Sequence, residues 1–88
     1  MSKVHNLSFF DWLQSEKGIQ QKSARDVVSR LRRVNTFVDV KKARDSLTAI
    51  SQMENVSGFS DLSMTVRSQL RRAIRLHVEY TKTGGRIS

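Results

Sequence analysis

Ser68-Gln69-Leu70-Arg71-Arg72-Ala73-Ile74-Arg75-Leu76-His77-Val78-Glu79-Tyr80 is the stretch whose reading decides the fold. Leu70, Ala73, Ile74, His77 and Tyr80 recur at three- and four-residue steps, and Val66 extends the series upstream. With 3.6 residues per turn, that spacing puts them on one apolar stripe of an α-helix. Arg67, Arg71 and Arg75 run beside the stripe as an i, i+4, i+8 ridge, with Arg72 further round. Leu76 falls among the arginines and is expected as a scattered surface leucine rather than a dimer contact.

A second segment, Ser23-Ala24-Arg25-Asp26-Val27-Val28-Ser29-Arg30-Leu31-Arg32-Arg33-Val34, repeats this design. Ala24, Val27, Val28, Leu31, Val34 and Val38 form its stripe. Arg25, Ser29 and Arg32 share a polar side, while Arg30 and Arg33 point elsewhere. Each helix thus couples a core face to a guanidinium face.

Outward from these two segments, helical periodicity continues. A first helix is predicted from Ser8 to Glu16, with Ser8 as N-cap and Asp11 three residues on in a capping-box-like arrangement. Phe9, Phe10, Trp12 and Leu13 give its apolar side, and Gly18 turns the chain. The aromatic cluster belongs to the core, with Phe9 or Phe10 its more exposed member. The second helix should span Lys22 to Phe37, without a strong cap at its start. A third is predicted from Val40 to Glu54 behind Asp39 as N-cap, with Val40, Ala43, Leu47, Ile50 and Met53 as its stripe. Residues 55–61 read as a loop whose Phe59, with Leu62 just beyond it, folds back onto the core. Ser63 then caps a fourth helix running to about Thr81.

Proline is absent, no segment alternates in the manner of a strand, and no internal repeat appears. The chain therefore reads as all-α, a compact four-helix bundle. Residues 1–7 are expected as a flexible N-terminus, 8–81 as the bundle domain and 82–88 as a flexible tail.

Eighty-eight residues suffice for one small domain. The absence of cysteine excludes disulfides and thiolate metal sites. Apolar runs are far too short for a membrane span, and the N-terminus lacks the apolar core of a signal peptide, so a cytoplasmic location is expected. Sixteen Lys and Arg, ten of them Arg, stand against eight acids and leave a net charge of +8. Such a field concentrates polyanions, and its placement on amphipathic helices points to nucleic acid.

Catalytic chemistry finds no foothold. His5 lies in the N-terminal segment, and His77 sits on the apolar face of the last helix with no Cys or His at metal-ligand spacing. The acids are scattered as caps and surface groups; Asp26 and Arg30, at i, i+4, form at most a surface pair. No glycine-rich phosphate loop is present, because no helix follows Gly84-Gly85. The expectation is a protein with no enzymatic activity, no metal and no cofactor. The arginines differ from an ordinary solvated face: four precede the single acid Glu79 in the last helix, and each offers a planar fork suited to phosphate oxygens and guanine edges.

Phe9-Phe10-Asp11-Trp12-Leu13, then Gly18-Ile19, then Ser23 through Leu31, resembles the opening of the N-terminal core-binding domain of tyrosine recombinases and phage integrases. The last helix resembles that domain's final helix, and the likeness covers residues 7 to 81. It implies a SAM-like four-helix bundle that cups one side of a DNA duplex during recombination, with the second and fourth helices facing DNA. Here those helices carry Lys22, Arg25, Ser29, Arg32, Arg67, Arg71, Arg72 and Arg75 as the expected DNA-contacting residues. Two departures accompany it. The catalytic domain of that family is absent, so strand cleavage is not carried over, and the 55–61 segment is longer and more polar than the usual link. Tyr80 lies on the core face of its helix and is not a nucleophile.

The leading expectation is a non-enzymatic module binding double-stranded DNA, either a stand-alone accessory protein or a domain of a larger recombinase. The rival is a protein-interaction module, an inhibitor or assembly adaptor, whose basic face docks onto an acidic protein partner. RNA ranks behind both, because no exposed aromatic platform is evident. Membrane-surface binding ranks last, because the bundle consumes the apolar faces.

Overall fold

The computed structural model describes residues 8–40 and 45–84. Among them are four α-helices and no strand: α1 (Phe9–Ser15), α2 (Gln21–Val34), α3 (Ser46–Glu54) and α4 (Met64–Glu79). A 3-10 turn, Phe59–Asp61, precedes α4, and a π-helical turn, Tyr80–Gly84, follows it. The chain is an all-α bundle, as its periodicity predicts.

Three helices begin where a side chain satisfies an orphan amide. Ser8 accepts from the Asp11 N–H at 3.1 Å, and Ser63 accepts from the Val66 N–H at 3.2 Å. Asp45 accepts from the Thr48 N–H at 2.7 Å. Gln20 makes no such bond at the start of α2. Gly18 turns the chain between α1 and α2 in the left-handed region, at φ +65°, where the Ile19 N–H reaches back to the Leu13 carbonyl at 3.0 Å.

Asp45, not Asp39, caps α3, so this helix starts six residues later than the sequence stripe implies. The dipole explains the choice. A start at Val40 would put Lys41 and Lys42 in the first turn and Arg44 just behind it, against the positive end of the helix. The packed face of α3 is Ala49, Ile50 and Met53, and Leu47 lies off it, 75% exposed rather than part of the core. Val40 is buried, but outside α3. Ala43, also assigned to that stripe, lies outside the described residues. Two other boundaries move: α2 ends at Val34, with a turn through Phe37, and the helical path beyond α4 continues to Gly84.

Two apolar clusters hold the bundle. Val34, Val40, Ala49, Ile50, Met53, Phe59, Leu70, Ile74 and Val78 unite the end of α2 with α3, the 3-10 turn and α4. Trp12, Leu13, Ala24, Val27, Ala73 and Leu76 unite α1, the start of α2 and α4. Leu31 packs against both clusters, and α4 contributes to both, so α2 and α4 form the central pair. Phe59 and Leu62 fold back onto the core as expected. Leu76 does not lie at the surface: it is 8% exposed, in the Trp12 cluster. Residues of α1 and α2 share a cluster with this part of α4, which the arginine-rich sequence made look solvent-facing.

Candidate functional site

The apolar stripe of α2 faces α4, which leaves the adjoining flank of the helix to α1 and to solvent. Arg25, Val28, Ser29 and Arg32 occupy that flank, and Phe10 of α1 lies across it. Together these five residues line a surface groove of about 410 Å³. Phe10 and Val28 are half-buried and form its apolar part; Arg25, Ser29 and Arg32 are exposed. The two arginines are seven residues apart, about 10 Å along the helix axis, with the Ser29 hydroxyl between them. Neither makes an ion pair among the described residues, whose salt bridges are Lys17–Glu79 at 3.0 Å and Arg71–Glu54 at 2.7 Å. Asp26 and Arg30 are not joined either.

The groove thus gathers Arg25, Ser29 and Arg32 from the sequence-predicted set. Lys22 is exposed in the first turn of α2 but does not line the groove.

The α4 arginines are not brought into it, and they are not equivalent to one another. Arg71 is half-buried: its Nε donates to Glu54 Oε2 at 2.7 Å, Nη2 approaches the same oxygen at 2.7 Å, and the guanidinium lies 5.8 Å from the Phe59 ring centroid. This side chain ties α4 to α3 and to the 3-10 turn. Arg67 is half-buried with its Nε out of solvent and without a hydrogen-bond partner. Arg72 and Arg75 are exposed. The ridge predicted as one face therefore splits into a structural member, Arg71, a partly buried one, Arg67, and a solvated one, Arg75, with solvated Arg72 further round.

Around His77 the arrangement is structural. The residue is 9% exposed, with the Phe9 ring edge-on at 5.2 Å between centroids and the Tyr80 ring at 5.8 Å. Tyr80 is half-buried against Phe9 and Trp12, at 5.3 and 5.6 Å. Among the described residues no three His, Cys, Asp or Glu side chains gather to hold a metal ion. No helix among them is long and apolar enough to cross a membrane.

Phe10 and Val28 are the lining residues that the sequence did not assign to a site. Val28 reads as part of the α2 core stripe and Phe10 as one of two candidates for the more exposed aromatic of α1; both are half-buried. No protein-family model, curated protein or solved structure matches the chain.

Proposed function

We propose that this bundle is a non-enzymatic DNA-binding module that engages phosphates through the exposed flank of α2. The observation that carries this reading is the groove flank itself. Arg25 and Arg32 stand two helical turns apart, exposed and unneutralised by any described acid, with a hydroxyl donor between them. Guanidinium forks and a serine hydroxyl are the groups that position a sugar–phosphate backbone. Exposed Lys22, Arg72 and Arg75 extend the positive field around that contact. Arg71 drops out of the contact set, because Glu54 already occupies its fork.

Fluorescence anisotropy with a labelled duplex across a salt series tests the reading. With four or five phosphates neutralised, the log–log slope of affinity against salt should be about −4. Arg25→Ala combined with Arg32→Ala should weaken binding and flatten that slope by roughly 2. Absence of duplex binding at low salt, or binding unaffected by the double substitution, would remove the groove from the function. Selective capture of one acidic protein, without duplex affinity, would favour the adaptor reading instead.

A further inference from the structure

Phosphate binding uses only the polar side of the α2 groove and leaves its apolar side unexplained. Phe10 is the only one of the six aromatic residues, all of them described, that makes no ring contact; Phe9, Trp12, Phe37, Phe59 and Tyr80 are all paired. Half-buried Phe10 instead lines the groove together with Val28, Arg25 and Arg32. An aromatic residue and two arginines lining one groove are the combination that takes a base on the ring and phosphates on the cations.

We propose that the groove holds an unpaired nucleotide, its base against Phe10 and Val28 and its neighbouring phosphates on Arg25 and Arg32. The protein then prefers single-stranded or frayed DNA to a closed duplex, with groove-lining Phe10 as the aromatic platform that the sequence did not make evident. This rests on the DNA-binding reading and sharpens its substrate class. Bases in an intact duplex are held in the stack and present no face to Phe10, whereas an unpaired base does. The size is appropriate: about 410 Å³ lies in the range of sites for one small ligand. A docked protein helix fits less well. It would need a row of apolar sockets at i, i+3 or i+4, and i+7, and this groove offers only Phe10 and Val28.

The test compares a labelled dT oligonucleotide with a duplex of the same length, using the whole chain, Phe10→Leu, and the Arg25→Ala/Arg32→Ala double variant. Leucine keeps apolar contact with α2 while removing the π-face. The expected result is tighter binding of the single strand than of the duplex. Phe10→Leu should lower single-strand affinity about fivefold to a hundredfold, with duplex affinity held within about twofold. The double arginine variant should weaken both.

An NMR titration of the unmodified protein with the dT oligonucleotide gives an independent readout. Ring-proton shifts at Phe10 support the subsite, and unmoved Phe10 resonances at saturation overturn it even if Phe10→Leu fails to fold. Equal affinity for the two DNAs, with Phe10→Leu changing neither or both alike, removes the base subsite and leaves phosphate binding standing. Binding of neither DNA at low salt removes the DNA reading itself. Phe10-dependent binding of poly-glutamate in that case assigns the groove to an acidic protein segment and overturns both.

Discussion

Leu76→Ala separates the packed bundle from the arrangement that the sequence alone implies. At 8% exposure Leu76 shares a cluster with Trp12, Leu13, Ala24, Val27 and Ala73. The substitution removes roughly three methylene equivalents at ~0.8 kcal/mol each. A part of the resulting cavity collapses at the cluster edge, so the expected loss is ~2–3 kcal/mol, at the low end for Leu→Ala. That is a large share of the ~4–13 kcal/mol expected of a domain this size, and it lowers Tm by about 10–20 °C. Leu47→Ala is the matched control, because Leu47 is 75% exposed and the same change there should cost under ~0.5 kcal/mol. Urea unfolding followed by the fluorescence of Trp12, the only tryptophan and 2% exposed in the same cluster, measures both. A Leu76→Ala midpoint indistinguishable from that of Leu47→Ala would refute the packing of Leu76 into the Trp12 cluster.

The remaining predictions concern caps, pairs and turns. The Thr48 N–H holds the Asp45 carboxyl below its ordinary pKa, with help from the Thr48 hydroxyl. A lowered folded value means that the α3 cap is fully effective above the ordinary carboxylate range and is lost as pH falls through the lowered value. The Thr48 amide shift should follow that titration in the native protein and should not move in Asp45→Ala. Arg71 and Glu54 have side chains 31% and 39% exposed, so a double-mutant cycle on thermal unfolding should give a coupling of only ~0.5–1 kcal/mol. Arg71→Ala alone should cost more than Glu54→Ala, because it also loses the Phe59 ring. Gly58 sits at φ +97° with open space around its α-carbon, so Gly58→Ala should destabilise by ~1–2 kcal/mol through the backbone alone, as read by denaturant midpoint.

Much of the fold was legible because hydrophobic period and caps are local signals. Ser8 and Ser63 stand directly before apolar stripes and cap the helices predicted from them. The start of α3 was misplaced because two aspartates, Asp39 and Asp45, both precede apolar periodic residues. Only the charge of the intervening segment separates them, and a period count does not weigh charge against the helix dipole. Leu76 was misplaced for a different reason. Its own helix assigns it to the arginine side, and it is packing with α1 and α2, a tertiary event, that buries it. A seven-residue helix with two buried residues carries little periodic signal about which partner it covers.

The site was legible in chemistry but not in grouping. Ten arginines with few acids announce a polyanion partner, yet sequence spacing cannot say which arginines a bundle consumes in its own packing. Arg71 and Arg25 look alike on a helical wheel, each next to an apolar stripe with solvent beyond. The difference lies across the fold: Glu54 at the end of α3 and the Phe59 ring meet Arg71, whereas Phe10 of α1 lines the groove with Arg25 and no described acid pairs with that arginine. An arginine paired with a half-exposed glutamate contributes to holding α3 on α4, and binding a phosphate there must first displace that pair. An unpaired arginine beside an aromatic ring carries no such penalty. Affinity should therefore concentrate on α2 even though α4 has the more regular ridge, and Arg25→Ala should weaken DNA binding more than Arg71→Ala in the same anisotropy assay. The reverse order would mean that the Glu54 pair opens on binding and that the α4 ridge, not the groove, is the surface that meets the polyanion.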